Sequence, residues 1–185
     1  MPIGYEKIRA EMPKFSQTTV TCLSELNNYT FRDHMDLNPD YQRGHVWTVK
    51  QSENFMGHLL EGGACPAFII HEGDISKEDY QNEMVDGQQR ARAILGWFDG
   101  VVGARLSDGR GVWFSNCTKT ESLGIRLGIT VPINWGKWTR KERLKLYLKL
   151  NRGGTVHTDA EIERVTQMLV TEEISPLLEQ LGQEK

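Results

Sequence analysis

The segment Met84-Val85-Asp86-Gly87-Gln88-Gln89-Arg90-Ala91-Arg92-Ala93 restricts the fold more than any other part of this chain. It reads as the end of a strand, a glycine turn and the first turn of a helix. Behind the turn, Ala91, Ile94, Leu95 and Phe98 recur at the i, i+3, i+4, i+7 spacing of a buried helical face. A helix start presents backbone N–H groups without intrahelical acceptors, at the positive end of the macrodipole, so an anion is favoured there. Gly87 allows close backbone approach, and Arg90 and Arg92 carry charge that pairs with phosphate. Asp86, at the strand end, is placed to orient an arginine, cap the helix or hold a metal ion. The plain alternative is a tight strand–helix turn with surface glutamines.

The surrounding pattern supplies a frame for such a site. Ser16 to Asn28 reads as a first helix, and Thr48 as the N-cap of a helix to about Leu60 that Gly62-Gly63 stops. Pro66 to His71 is a short buried strand and Glu83 to Asp86 the strand entering the turn, with a polar loop, Gly73 to Gln81, between them. This strand–loop–strand–turn–helix order is what a phosphate site on a small α/β sheet requires. Asp99-Gly100 ends the motif helix, and Val101 to Phe114 has a hairpin signature around Ser107 to Gly111. Thr130 to Asn134 reads as another strand, and Thr139 caps a helix to Leu150. Thr158 with Glu161 forms a capping box for the next helix, and a last amphipathic helix begins near Thr171. The 185 residues suffice for one compact domain and not for two sizeable ones.

Composition narrows the class. Three cysteines (Cys22, Cys65, Cys117), odd in number and without Cys-x-x-Cys spacing, read as reduced thiols in a cytoplasmic protein. No apolar run reaches bilayer length, and no signal-peptide core is present, so no membrane partner is expected. The formal net charge of −3 means that any nucleic-acid binding must come from a local patch. One candidate is the stripe Lys141, Lys145, Lys149 and Arg152 at i, i+4, i+8, i+11, with Trp135 and Trp138 nearby as stacking groups. A solvated helix face is the commoner meaning of such a stripe.

Gly87-x-x-Arg90-x-Arg92-Ala93 before an apolar helix resembles the nucleotide-binding motif of the ParB/sulfiredoxin-like superfamily. Its Asp-Gly-Gln-Gln-Arg form is similar to the N-terminal domain of GmrSD and SspE restriction proteins. Three further segments agree in order. Pro39 to Trp47 resembles the family's "YQR…W" segment, Leu59 to Pro66 its "L-x-G-x-x-x-P" turn, and Leu150 to Gly154 with Glu161 its "lNrgG…E" segment. The resemblance spans about residues 20–165, leaving 166–185 as a C-terminal helix on a single domain of 1–185. It implies a small mixed α/β sheet with surrounding helices, and a nucleoside triphosphate as ligand, with Mg2+ where the ligand is turned over.

The expected site follows from both readings. Asp86, Gln89 and Arg90 are the candidates for catalysis; Gln42, Arg43, Gly87, Gln88, Arg90, Arg92, Asn151 and Arg152 for nucleotide or phosphate; Tyr41, Trp47, Lys141, Lys145 and Lys149 for DNA. For Trp47 the plain alternative is a core residue. The absence of a Gly-Lys-Ser/Thr element excludes a P-loop enzyme. Nucleotide hydrolysis, DNA recognition in a phage or bacterial defence process, DNA nicking, and a non-catalytic DNA- or protein-binding regulator all stay open. Because no nuclease segment follows the last motif, a separate nuclease or regulatory protein is the expected partner. Asp33-His34 with Asn54 and His58 does not make an HNH nuclease, since Asn54 and His58 fall on a helix. Gly-Gln-Gln-Arg lacks the reactive cysteine of sulfiredoxins, and His45, His71 and His157 show no metal-ligand spacing.

Overall fold

The computed structural model describes residues 14–42, 44, 46–74, 76, 81–151 and 159–183, with side chains to residue 176. Its elements in chain order are β1 (Gln17–Cys22), α1 (Leu23–Leu26), α2 (Tyr29–His34), β2 (Met35–Asp36), α3 (Val49–Leu60), β3 (Phe68–His71), β4 (Asn82–Asp86) and α4 (Gln88–Phe98). They continue as β5 (Ala104–Arg105), β6 (Gly111–Val112), α5 (Lys119–Gly128), β7 (Thr130–Gly136), α6 (Arg140–Asn151) and α7 (Asp159–Gln183). Five strands form one mixed sheet in the order β1-β7-β3-β4-β2, and β5 and β6 pair as a separate hairpin. Within the sheet β3 runs parallel to β7 and antiparallel to β4, while β1 is antiparallel to β7. The expected mixed α/β sheet is therefore present.

Side chains of alternating parity line the two faces of the sheet. Phe68, Ile70, Met84, Val131 and Ile133 join Leu26, Met56, Ile94 and Trp97 in the main core. On the opposite face Ile69 and Val85 meet Trp138 and Leu146, and beside them Tyr41 packs with Leu144, Tyr147, Leu148 and Val165. The sheet is thus covered on one side mainly by α1, α3 and α4 and on the other by α6 and α7. Burial on both sides explains why Phe68-Ile69-Ile70 is a continuous apolar run.

Three elements differ from the sequence reading. Ser16 to Asn28 is not a helix: β1 occupies Gln17–Cys22, and only the single turn of α1 follows. The run Thr18-Thr19-Val20-Thr21 is β-branched throughout, which stiffens χ1 and favours the pleated form. No new helix starts near Thr171, because α7 is continuous from Asp159 through that position. Its apolar residues Ile162, Val165 and Leu169 keep facing α6, which carries the helix onward. α5 had no counterpart in the sequence reading. Its signal was Thr118 with Glu121 three residues on, and the structure forms that capping box. The expected cap at Thr158 lies outside the described residues.

Candidate functional site

Antiparallel pairing of β4 with β3, and parallel pairing of β3 with β7, bring three chain positions to one end of the sheet. These are the end of β4 and the starts of β3 and β7, in the register Ile69↔Asp86 and Phe68↔Ile133. The α4 turn stands at that end. Gly87 has φ +105°, in the left-handed region, and a Cβ there would run into the Phe68 ring, so both backbone and packing require glycine. The first intrahelical bond runs from the Ala91 N–H to the Gly87 carbonyl at 2.9 Å. The N–H groups of Gln88, Gln89 and Arg90 consequently have no acceptor within the helix, and Gly87 has no side chain to cap them. The starts of α3, α5 and α6 are closed instead by Thr48 with Gln51, Thr118 with Glu121, and Thr139 with Glu142.

The motif side chains are tied into the protein. Arg90 donates through Nη1 to the carbonyls of Pro66 (2.6 Å) and Ala67 (3.1 Å) and through Nη2 to Asp86 Oδ2 (2.7 Å). Its guanidinium lies 5.1 Å from the Phe68 ring centroid, and its side chain is 13% exposed against 43% for Asp86. Arg90 therefore sutures the entry of β3 to α4, while Asp86 faces solvent at the turn. Gln88 is 5% exposed, and its amide donates to the Leu37 carbonyl and to Asn38 Oδ1 (2.7 Å). Gln89 accepts at Oε1 from the N–H groups of Val46 (3.1 Å) and Trp47 (3.2 Å) and donates to the Gly44 carbonyl (3.3 Å). Gln42 donates to the carbonyls of Met84 and of Val85 (2.9 Å). The two glutamines of the turn thus hold backbone, and Gln42, Gly44, Val46 and Trp47 lie against the end of β4 and the start of α4. Arg43, between Gln42 and Gly44, lies outside the described residues, as does Arg152. Arg92, one turn further along α4 from Gln88, is half-buried, and its Nε has no hydrogen-bond partner.

Beside the turn lies an open cavity of about 320 Å³, lined by Leu59, the Gly62–Cys65 turn, Gly128–Thr130 and Pro132. One carbonyl separates its wall from the motif arginine: Cys65 Sγ lies 3.5 Å from the Pro66 oxygen that Arg90 binds. Burial pushes the Cys65 thiol up, with Arg90 opposing it, which keeps the thiol neutral. Neither sulfur nucleophile nor metal is needed to explain this wall. Among the described residues no group of three or more His, Cys, Asp or Glu could hold a metal ion. No helix among them is long and apolar enough to cross a membrane.

The residues expected at DNA are placed elsewhere. Tyr41, expected at a DNA surface, is 0% exposed; its ring meets Tyr147 edge-on at 5.4 Å and its hydroxyl donates to Glu83 at 3.2 Å. That contradicts a DNA contact, because an aromatic sealed between α6, α7 and the sheet cannot stack on a base. Trp47 packs against the main core and edge-on against Phe55, at 5.4 Å. Lys141 and Lys145 both reach Glu173 on α7, at 3.1 and 3.3 Å, so these two cations of the stripe join the helix pair rather than stand free. Lys149 also has an interaction partner. Asn151 donates to the Tyr147 carbonyl of its own helix at 2.8 Å.

A buried polar cluster on the α6 side escaped the sequence reading. Arg143 lies 2.9 Å from Glu83 and donates to the Trp138 carbonyl (2.8 Å), and its Nη1 faces His71 Nε2 at 3.1 Å. The Trp138 N–H faces His71 Nδ1 at 3.1 Å. A protonated imidazole would oppose N–H to N–H on both sides. Burial, with Arg143 adding to it, lowers the His71 pKa to about 4, while burial raises Glu83 against the pull of Arg143. His71 is thus a half-buried residue with a protein donor facing each ring nitrogen.

Fold and site together define a mixed α/β domain whose sheet ends in an uncapped helix start beside an apolar cavity. Residues 23–165 match the family of the GmrSD restriction endonuclease N-terminal domain, and the chain belongs to that family. No curated protein matches it. A similar solved structure is the C-terminally truncated chromosome-partitioning protein ParB of Caulobacter crescentus in complex with CTP-gamma-S. It is 12% identical, with a TM-score of 0.41, over 86% of this chain and 66% of that one.

Proposed function

We propose that this domain binds a nucleoside triphosphate, with the phosphates on the N–H groups that open α4 and the base in the neighbouring cavity. The observation that carries the reading is their juxtaposition: a helix start without a side-chain cap stands at the same sheet end as an apolar cavity of about 320 Å³. The macrodipole and three N–H groups favour phosphate, and the walls from Leu59 to Pro132 suit a flat heterocycle. Arg90 and Gln88 serve this site by holding its frame. Arg92, half-buried on α4 with a buried Nε that has no hydrogen-bond partner, adds positive charge one turn behind the phosphates. Hydrolysis would fall to Asp86, whose exposed carboxylate is the acid at the turn. A single carboxylate fits Mg2+, which is commonly held by one or two carboxylates together with substrate phosphates; when bound it would neutralise phosphate charge. The family's name suggests a role in DNA restriction.

Calorimetry separates the two halves of the site. Ala64, exposed at the cavity rim, is replaced by Trp to obstruct the cavity. Nucleotide affinity should fall at least about tenfold, the scale of a lost aromatic-sized contact, while inorganic triphosphate binds the A64W variant as it binds the wild type. Equal nucleotide affinity in both proteins would remove the cavity from the reading. No binding of either ligand by the wild type would remove the reading altogether. Phosphate release by the wild type but not by Asp86→Asn would establish turnover.

A further inference from the structure

Arg164 on α7 grips the backbone of Asp40, Tyr41 and Gln42, which leads to the start of α4. Its Nη1 donates to the Asp40 carbonyl at 2.8 Å, and its Nη2 to the carbonyls of Tyr41 (3.0 Å) and Gln42 (3.2 Å). Successive carbonyls of an extended chain point in opposite directions. Three converge on one guanidinium here because the chain turns, with the Gln42 N–H returning to the Pro39 carbonyl at 2.9 Å. The turn is fixed twice more. Asp40 is paired in both oxygens with Arg140 (3.0 and 2.6 Å), and the hydrogen bond from Arg140 holds its carboxyl below the usual range. Tyr41 is sealed among Leu144, Tyr147 and Val165.

The next contact leads into the site. From this turn the Gln42 side chain reaches the carbonyls of Met84 and Val85, at the end of β4. Gly44, Val46 and Trp47 then bond to Gln89 in the first turn of α4. We infer that Arg164 is a positioning residue of the proposed nucleotide site: it sets the Pro39–Gln42 turn so that Gly44, Val46 and Trp47 meet Gln89 at the start of α4. The role in ligand binding rests on the proposed function, but the positioning itself does not. A lysine keeps the charge and loses the planar fork that reaches three acceptors.

The test uses the full chain with Arg164→Lys, and Glu173→Gln as a control that removes an ion pair between α6 and α7 at another point. Hydrogen exchange should show a loss of protection of about tenfold or more in the amides of Gln42, Val46 and Trp47, with β3 and β4 unchanged. The control should leave those amides as they are. Affinity for the best-bound of ATP, GTP, CTP and UTP should fall about tenfold in R164K, the scale of a lost charge-assisted bond. In a Gln42→Ala background the same substitution should add less than about twofold, since it acts through Gln42. Unchanged exchange at those amides would overturn the inference. So would global unfolding of R164K or a loss spread evenly over the sheet, either of which makes Arg164 merely structural. If the wild type binds none of the four nucleotides, the proposed ligand fails, and the exchange result still decides the role of Arg164.

Discussion

The start of α4 and the outer stripe of α6 are both cation-bearing in sequence, and folding leaves them in different states. At α4 the side chain of Arg90 is absorbed by Pro66, Ala67 and Asp86, but the helix-opening N–H groups keep no intrahelical acceptor. At α6 the order is reversed. Its N-terminus is closed by Thr139 and Glu142, and its Lys141 and Lys145 share the single carboxylate of Glu173 across the helix pair. A row of positive side chains is thus a poor guide to an anion site, because α7 supplies the counter-charge. A glycine start is a better one, since no side chain is present to close it.

The largest expected effect breaks the α4 side of this comparison. Arg90→Ala removes two hydrogen bonds to strand-entry carbonyls and an ion pair at a 13%-exposed guanidinium. Urea unfolding should show a loss of about 2–3 kcal/mol, less than for a fully buried pair because Asp86 remains solvated. A loss within error would mean that Arg90 is free for ligand rather than a suture. On the other side of the sheet, His71 gives a pH signature. Its folded pKa of about 4 lies below the unfolded 6.5, so the unfolded chain binds the extra proton between these values. The contribution is present above pH 6.5 and is lost as pH falls toward 4.

From pH 7 to 5 wild type should lose about 1 kcal/mol relative to His71→Gln, a figure already reduced for a half-buried ring. Glu83, whose pKa is raised, contributes with the opposite sign just above its ordinary value and is retained in both proteins, so the comparison isolates His71. Parallel pH profiles would show that the Arg143 and Trp138 donors do not hold the ring neutral. The smallest effect concerns the stripe. Glu173→Gln should leave the melting temperature unchanged, as exposed pairs add little. Duplex DNA affinity at low salt should nevertheless rise severalfold, with a log–log salt slope steeper by about 0.9 for each phosphate gained. No change in that titration would remove α6 as a DNA-facing surface.

Much of the site was legible because its constraints are local. Gly87 needs φ +105°, Thr48 and Gln51 close α3, and the apolar spacing from Ala91 to Phe98 buries one helical face. Gln42 was expected at the nucleotide site, and its bonds to the Met84 and Val85 carbonyls bring it to the end of β4, beside the turn. The partners of these side chains were not legible. Gln88 reaches back about fifty residues to Leu37, and Arg164 reaches Asp40 across a separation of 124. The first helix failed for a local reason: the β-branched run Thr18 to Thr21 is a strand signal that the helix reading of Ser16 to Asn28 passed over.

The sequence by itself determined where the chain turns and which faces are apolar, because dihedral preference and side-chain period act within a few residues. It determined the strand–glycine–helix unit, the caps at Thr48 and Thr139 and the family. Only the tertiary structure decided which charges are available. Lys141 and Lys145 meet Glu173, Arg140 meets Asp40, and Arg143 meets Glu83 and His71 through contacts between elements distant in sequence or joined across helices. The cavity is likewise a product of sheet register. Its walls come from segments near residues 62 and 130, which meet because β3 and β7 run parallel from the same end.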